Sequence, residues 1–318
     1  MTSSPRPAAW KLLLAFAIIY FVWGSTYLAV RIGVREVPPF LLAGVRFVIA
    51  GIVLYAWTRV HGTPSPTMRE WSGVLFMSTL IFVFDYGLLF WAETRVPSGV
   101  AAVVMAIIPG FMALLEIMLL RTQRLTARLA IALLLGVAGV AVLVARSPNL
   151  GGAPVDALGA AALVFASINW SIASVLSRKL PLPSAKVMSS GAQMLAGGVM
   201  LTIVSALLGE MHGFRVQAVS REAWFALVYL IVAGSIIGFT AYIWLLHHES
   251  PTKVGTYAYV NPVVAVVIGY FWGGEVLGAR TVVGTLLVLV SVVVITTMPK
   301  RVQSDVLTEA AQLSLDAE

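Results

Sequence analysis

The sequence contains no cysteine and very little charge. Only 11% of its 318 residues are charged, whereas soluble domains carry about 25%. The missing cysteines exclude disulfides, thiolate metal sites and a cysteine nucleophile. The shortage of charge excludes a soluble fold, because too few charged side chains are present to cover a core of this size. Since 59% of the residues are hydrophobic, most of the surface must face lipid.

The chain also lacks the usual motifs of catalysis and of cofactor binding. It has four histidines and no Gly-Lys-Ser/Thr phosphate loop, so no metal, nucleotide or other cofactor is expected. The net charge of +7 could indicate a nucleic-acid partner. The basic residues, however, are scattered over short loops, where Lys and Arg set the orientation of a membrane protein. We therefore expect a lipid bilayer around the chain and no nucleic acid.

Ten apolar stretches are each close to the roughly 20 residues needed to cross a bilayer. They lie at residues 12–30, 40–57, 72–92, 97–120, 127–145, 156–176, 187–208, 223–246, 252–272 and 280–298. The first stretch lacks a signal-peptide cleavage site and is interpreted as a retained helix. Tight connectors at Val96-Pro97 and Ser250-Pro251 predict helical hairpins. The sequence thus predicts an all-α integral membrane protein with ten transmembrane helices.

The distribution of Lys and Arg predicts the orientation of these helices. If the N-terminus is cytoplasmic, the inside segments carry 13 basic residues and the outside segments carry 7. This excess places both termini in the cytoplasm, because cytoplasmic loops of membrane proteins are enriched in Lys and Arg. We expect the location to be a bacterial inner membrane, with residues 301–318 forming a polar cytoplasmic tail.

The chain repeats weakly after about 150 residues, which predicts two related halves at residues 1–148 and 149–300. Trp23 and Arg31 match Trp170 and Arg178 at a shift of 147, and Pro109 matches Pro262 at a shift of 153. Each half contains five spans. Because five is an odd number, the second half starts on the opposite side of the membrane and has the inverted orientation. Inverted repeats are common in secondary transporters, whose substrate site lies between the repeats. Two similar halves can exchange conformations and so open to either side in turn.

Several short motifs in the first half of the chain, by their order and spacing, resemble EamA-type carriers of the drug/metabolite transporter superfamily. The motifs are Trp23-Gly24-Ser25-Thr26, Arg31, Pro38-Pro39-Phe40, Arg46-Phe47 and Arg124-Leu125-Thr126. A Gly-Glu pair usually precedes Arg-Leu-Thr in that family. This chain has Thr122-Gln123 there and keeps Gly274-Glu275 in its second half. The resemblance implies ten helices and export of amino acids or related metabolites, with the aromatic amino acid exporters as the nearest subgroup.

Matching polar and aromatic stripes on helices 1 and 6 are candidates for the lining of a central cavity. The stripes comprise Tyr20, Trp23, Gly24, Tyr27 and Arg31 on helix 1, and Ser167, Trp170, Ser171, Ser174 and Arg178 on helix 6. Their spacing places each stripe on one helix face, and the two faces are expected to meet across the central axis. Aromatic rings there could stack on a flat substrate. Helix packing is the alternative, because small residues are also preferred at helix contacts.

Helices 4 and 9 contain prolines that are candidate hinges. Tyr257, Tyr259 and Asn261 precede Pro262 on helix 9, and Pro109 is its counterpart on helix 4. A proline within a helix frees a carbonyl and can kink the helix. The freed carbonyls and the Asn261 amide could bind an ammonium or a hydroxyl group. The alternative is that these prolines only bend their helices.

Four ionisable residues lie inside or at the ends of the spans: Arg46, Asp85, Glu93 and Glu116. Charge in hydrocarbon costs at least about 2.5 kcal/mol, so such groups normally face an aqueous cavity or a partner. Asp85, next to Tyr86, has no acidic counterpart in the second half and is predicted to face the pathway. It would bind a substrate ammonium or take part in a protonation step, unless it forms a salt bridge with Arg46 or is a protonated, hydrogen-bonded acid. Arg46 and Glu116 are interpreted as structural.

Three functions compete at this stage. The first is a secondary carrier that exports small metabolites, most simply amino acids with an aromatic or other hydrophobic side chain. The second is a channel or facilitator for small polar solutes, and the third is an intramembrane enzyme. The sparse polar stripes do not supply a continuous polar pore, and no catalytic cluster is present. A monomer already contains both halves, so no partner subunit is required.

Overall fold

Apolar stretches of this length fold as helices because lipid offers the backbone no hydrogen-bond partner. The structure, a computed structural model, describes residues 8–115, 117–118, 126–145, 155–177, 179–248, 254 and 257–297. Within these ranges it contains helices and no strand. Seven helices are long and apolar enough to cross a membrane: α1 (Ala9–Gly33), α2 (Pro39–Val60), α3 (Met68–Glu93), α4 (Ser98–Leu115), α6 (Ala157–Leu176), α7 (Lys186–Leu207) and α8, whose span is Arg221–Tyr242.

The described residues contain three further helices, α5 (Ala127–Val144), α9 (Tyr257–Trp272) and α10 (Ala279–Thr296). Their apolar stretches are shorter, at Ala127–Leu143, Val260–Trp272 and Ala279–Ile295. α8 continues beyond its span and ends at His248. The helices agree with the predicted spans to within a few residues wherever the chain is described. The predicted ends of helices 4, 9 and 10, and the tail after Arg301, lie outside the described residues.

Several helices depart from regular α geometry in the interior of the bundle. π-Helical stretches occur at Ile18–Val22 in α1, Thr79–Gly87 in α3 and Leu230–Ile237 in α8. α4 is interrupted at residues 106–107, directly before Pro109. Pro262, in contrast, lies inside a continuous α9. Such irregular stretches free backbone groups for other contacts and often occur at functional sites.

α2 and α7 cross in close contact through glycines. A Cβ on Gly51 would lie 2.4 Å from the Leu195 amide nitrogen, and a Cβ on Gly198 would lie 2.4 Å from the Val48 amide nitrogen. A shift of 147 residues converts the first pair into the second. The same shift converts the contact of Gly44 with Thr202 into that of Gly191 with Tyr55. Each helix therefore presents the same surface to the other, as in a contact across a two-fold axis.

Two more sets of contacts repeat in this reciprocal way. In α5 and α10, Gly139 approaches Val288 while Gly284 approaches Leu143, and a shift of 145 residues relates the two pairs. Gly24 of α1 lies against the Asn261 carbonyl of α9. Its counterpart on α6, Ser171, donates a hydrogen bond to the Ile108 carbonyl of α4. These contacts thus recur about 150 residues further along the chain.

A loop carboxylate stabilises the start of α4. Glu275 accepts hydrogen bonds from the amide and the hydroxyl of Ser98, each at 2.6 Å, and from the Gly99 amide at 3.0 Å. The first amides of a helix have no partner within the helix, and an anion there also interacts favourably with the helix dipole. The Gly274-Glu275 pair, noticed first as a family motif, therefore joins the α9–α10 connection to α4. Its counterpart in the first half, Thr122-Gln123, lies outside the described residues.

Candidate functional site

Asp85 is a buried acid in the interior of the bundle. It lies in the π-helical stretch of α3, is 1% exposed, and its Oδ1 atom has no hydrogen-bond partner among the described residues. Tyrosines from three helices are near enough to interact with it electrostatically: Tyr27 of α1, Tyr86 of α3 and Tyr257 of α9. An unpaired carboxyl group in this setting is costly. It is therefore suited to binding a cationic group or a proton.

Trp23 is the centre of an aromatic cluster between α1, α8 and α9. Its indole nitrogen donates a hydrogen bond of 3.1 Å to the Gly234 carbonyl in the π-helical stretch of α8. Its ring centroid lies 5.2 Å from that of Tyr242 and 5.2 Å from that of Tyr257. All three residues are partly buried. The ring planes meet at 42°, 88° and 85°, so the cluster presents an angular apolar surface with a few polar edges.

Trp170, the counterpart of Trp23, contacts the corresponding helix of the other half. Its ring lies 6.0 Å from that of Tyr86 on α3, in an edge-to-face arrangement. Tyr86 also packs against Phe47 at 4.7 Å and Phe82 at 5.8 Å. The faces of α1 and α6 were expected to meet directly. Instead, α1 packs mainly on α8 and α9 while α6 packs on α3 and α4.

Asn261 connects α9 to the π-helical stretch of α1. With the amide oriented so that its nitrogen faces the carbonyls, that nitrogen lies 3.1 Å from the Tyr20 carbonyl oxygen and 3.3 Å from that of Ile19. The side chain is buried. The Tyr20 ring packs against Phe16, with 5.7 Å between centroids. Asn261 therefore has a packing role, and its predicted contact with substrate stays a prediction.

Ser167 and Ser171 lie fully buried where α6 meets α4. Ser167 donates to the Leu163 carbonyl of its own helix, and Ser171 donates to the Ser167 carbonyl at 2.7 Å. Ser171 also reaches the Ile108 carbonyl, beside the interruption of α4. These hydroxyls thus stabilise the contact around the broken helix.

Two charged residues that the sequence did not assign to the site lie close to it. Arg46 is 4% exposed and does not pair with Asp85, because among the described residues the one ion pair joins Arg95 to Asp156. Glu93 is fully buried, and neither of its carboxyl oxygens has a hydrogen-bond partner in the described part of the chain. The predicted alternative of an Arg46–Asp85 salt bridge is therefore wrong. Whether Arg46 and Asp85 form an ion pair depends on the distance between their helices, which cannot be deduced from the sequence.

Some of the predicted residues cannot be placed. Glu116 and Arg178 lie outside the described residues, and the side chain of Tyr259 is not described although its backbone belongs to α9. The other predicted aromatic residues and Asp85 fall on α1, α3, α6 and α9. Asp85 and Tyr86 of α3 act electrostatically on Tyr27 of α1, and Tyr86 packs against Trp170 of α6.

Comparison with known proteins identifies the family. The EamA-like transporter family matches residues 10–145 and again residues 157–297. The uncharacterized inner membrane transporter YedA of Escherichia coli (strain K12) is 36% identical over 285 residues, which cover 89% of each chain. Protein PecM of Dickeya dadantii (strain 3937) is 25% identical over 276 residues, which cover 86% of this chain and 88% of PecM.

A solved crystal structure has the same fold. It covers 93% of this chain and the whole of its own, with a TM-score of 0.61 and 22% identity. The family and the inner membrane relatives are transporters and not enzymes, which confirms that part of the sequence analysis. The chain is therefore a membrane transporter that belongs to the EamA-like transporter family.

Proposed function

We propose that this transporter is a secondary carrier that exports amino acids with an aromatic or other hydrophobic side chain. The observation that carries the proposal is the placement of Asp85, a buried acid with an unpartnered oxygen among three tyrosines. A carboxylate is the natural partner of a substrate ammonium group. The rings around it suit a flat or apolar side chain.

In this proposal, two groups of aromatic rings enclose the side chain of the substrate. The cluster of Trp23, Tyr242 and Tyr257 forms one wall, and the pair of Tyr86 and Trp170 forms the other. The substrate side chain lies between these walls while its ammonium group reaches Asp85. Both walls contact a π-helical stretch, so a change in either helix would move an aromatic ring of the site.

The proposed architecture is ten spans in two inverted halves, at residues 1–148 and 149–300. Support comes from the reciprocal glycine contacts between α2 and α7 and from the double match to the family. Alternating access follows if the halves exchange conformations about the shared axis. In this scheme Pro109, beside the interruption of α4, and Pro262 of α9 are the hinge positions. A single chain suffices, in a bacterial inner membrane with both termini cytoplasmic.

The inverted topology can be tested with single cysteines, because the chain has none of its own. Ser65→Cys lies in the exposed α2–α3 loop and His212→Cys in the equivalent exposed α7–α8 loop. In intact cells, an impermeant maleimide is expected to label His212→Cys and to leave Ser65→Cys unlabelled until the membrane is permeabilised. The native chain, which cannot be labelled, is the control. Labelling of both loops from the same side would contradict the inverted repeat.

Transport itself is tested by counterflow in proteoliposomes. Vesicles that contain the purified chain are loaded with an unlabelled amino acid, and uptake of the same labelled compound is measured. Saturable accumulation of phenylalanine, tryptophan or leucine, absent from protein-free vesicles, is the expected result. A solute-independent ion current without counterflow would indicate a channel. Counterflow confined to solutes other than amino acids would contradict the proposed substrate class.

A further inference from the structure

Arg46 is a buried cation whose hydrogen-bonding capacity is largely unused. It lies in the middle of α2, and its Nε donates a hydrogen bond of 3.0 Å to the Ser235 hydroxyl in the π-helical stretch of α8. Its two terminal nitrogens donate to no group in the described part of the chain. A guanidinium has five N–H donors and stays charged in proteins. Four of these donors therefore have no partner in the described part of the chain.

Aromatic rings fix the position of this guanidinium. Its central carbon lies 4.7 Å from the ring centroid of Phe47, 5.6 Å from that of Tyr86 and 5.8 Å from that of Phe90. Cation–π contacts of this kind stabilise a buried charge but accept no conventional hydrogen bond. Gly234 also permits the close approach of α8, because a Cβ there would lie 3.1 Å from Nη2 of Arg46. The cation is thus held in place while its donors stay unsatisfied.

The nearby acids do not satisfy these donors. Glu93 acts on Arg46 electrostatically but makes no ion pair with it, and neither carboxyl oxygen of Glu93 has a hydrogen-bond partner in the described residues. Glu93 is also influenced by Glu275 and by Arg31, whose guanidinium donates to the Glu93 backbone carbonyl. Asp85 directly precedes Tyr86, the ring on which Arg46 stacks, yet it does not pair with Arg46. Arg46 and Asp85, neither of them in an ion pair within the described residues, both act electrostatically on Tyr86.

The charge of Arg46 is confined to one half of the protein. The shift of 147 residues that relates the α2 and α7 contacts places Gln193 at the equivalent position. The Gln193 side chain donates a hydrogen bond to Ser189 of its own helix. Helix packing repeats in both halves, whereas recognition of one substrate cannot. Arg46 shares this asymmetry with Asp85, which has no acidic counterpart.

From these observations we infer that Arg46 binds the carboxylate of the substrate through its two terminal nitrogens, while Asp85 binds the ammonium group. This assignment rests on the proposed function and adds to it the recognition of a zwitterion. A guanidinium matches a carboxylate with two parallel hydrogen bonds, which are stronger than neutral ones. The site then selects compounds that carry both charged groups on one carbon. Amines or carboxylic acids alone occupy only half of it.

The test measures binding separately from transport. Purified protein in detergent is titrated with three probes, namely phenylalanine, 3-phenylpropionate and 2-phenylethylamine, and affinity is measured by calorimetry. The native chain is expected to bind all three, with phenylalanine the tightest. In Arg46→Gln, affinity for 3-phenylpropionate and phenylalanine is expected to fall about tenfold to a hundredfold. Affinity for 2-phenylethylamine is expected to change by less than about twofold, because it lacks the carboxylate.

Two further variants distinguish a loss of binding from a folding defect. Arg46→Lys keeps the charge and loses the planar fork, so an intermediate loss of affinity for 3-phenylpropionate is expected. Ser235→Ala removes the anchor of Nε and leaves the terminal nitrogens intact, so a smaller loss is expected. Arg69→Gln, which removes an exposed charge at the start of α3, is the matched control. If all Arg46 variants are unfolded, the assignment is tested by comparing the affinity of Ser235→Ala for 3-phenylpropionate with that of the native chain.

Two results would overturn the assignment. One is the absence of 3-phenylpropionate binding to the native chain, and the other is unchanged binding of that probe in Arg46→Gln. Failure of the proposed function would look different. In that case 3-phenylpropionate would still bind in an Arg46-dependent way, but no amino acid would show counterflow in proteoliposomes. The carboxylate site would then stand, and the transported substrate would be another organic acid.

Discussion

Replacing Asp85 with asparagine is expected to reduce counterflow of phenylalanine at least about tenfold, mainly through a higher KM. Asn has nearly the same shape but cannot form a charge-assisted hydrogen bond with an ammonium group, and such bonds contribute about 1.5–3 kcal/mol. Inhibition by 2-phenylethylamine should be lost as well, because that probe carries the ammonium group alone. Inhibition by 3-phenylpropionate should persist, which is the reverse of the expectation for Arg46→Gln.

The same variant separates the two roles of Asp85. If the residue takes part only in a protonation step, Asp85→Asn keeps its affinity for phenylalanine and loses the pH dependence of transport. If affinity and pH dependence both survive unchanged, both roles are wrong. Glu222→Gln, which removes an exposed acid in the first turn of α8, is the charge-matched control. The thermal stability of Asp85→Asn should equal or exceed that of the native chain, because Oδ1 of Asp85 has no hydrogen-bond partner to lose among the described residues.

The position of Asp85 was predictable because a charge in an apolar run is conspicuous in a sequence. Its neighbours were less predictable. Tyr27 and Tyr257 approach it from α1 and α9, and only the fold brings these helices to α3. Arg46 was interpreted as structural or as a salt-bridge partner of Asp85. The sequence gives the charges but not the distance between them, so it could not exclude that pair.

The local geometry of the helices was the least predictable feature. Pro109 and Pro262 occupy equivalent places in the repeat, yet α4 is interrupted before the first and α9 runs through the second. π-Helical stretches leave no signal in the hydrophobic pattern, because nearly every residue of these runs is apolar. The role of a serine hydroxyl is also difficult to predict from the sequence, because it can form its hydrogen bond within its own helix. Ser171 satisfies its hydroxyl with the carbonyl four residues earlier, as serines in helices often do.

A few Trp, Arg and Pro matches in the sequence predict a repeat, and the reciprocal glycine contacts agree with that prediction. The shift of 147 came from Trp23 and Trp170 on α1 and α6. The same shift relates Gly51 to Gly198 on α2 and α7. Glycines are common in membrane helices, so only their reciprocal contacts distinguish them from others. This agreement between separate helix pairs supports a duplicated origin for the two halves.

Replacing Gly198 with alanine is expected to destabilise the protein by about 1–3 kcal/mol. The new Cβ would lie 2.4 Å from the Val48 amide nitrogen. Backbone cannot move aside as a side-chain tip can, so α2 and α7 would have to separate along their contact. Gly51→Ala should cost a similar amount, because its Cβ would meet the Leu195 amide nitrogen at the same distance. Thermal unfolding in detergent and the yield of monodisperse protein measure both effects.

Gly110→Ala is the matched control for these two variants. Its Cβ would meet the tip of the Leu133 side chain at 3.0 Å and that of Ile295 at 3.4 Å, and both tips can rotate. In a helix, alanine is otherwise favoured over glycine by about 1 kcal/mol, so this variant should be close to neutral. A two-fold relation between α2 and α7 predicts similar losses for Gly51→Ala and Gly198→Ala. A native-like melting temperature for either one would contradict the reciprocal contact on which the inverted architecture depends.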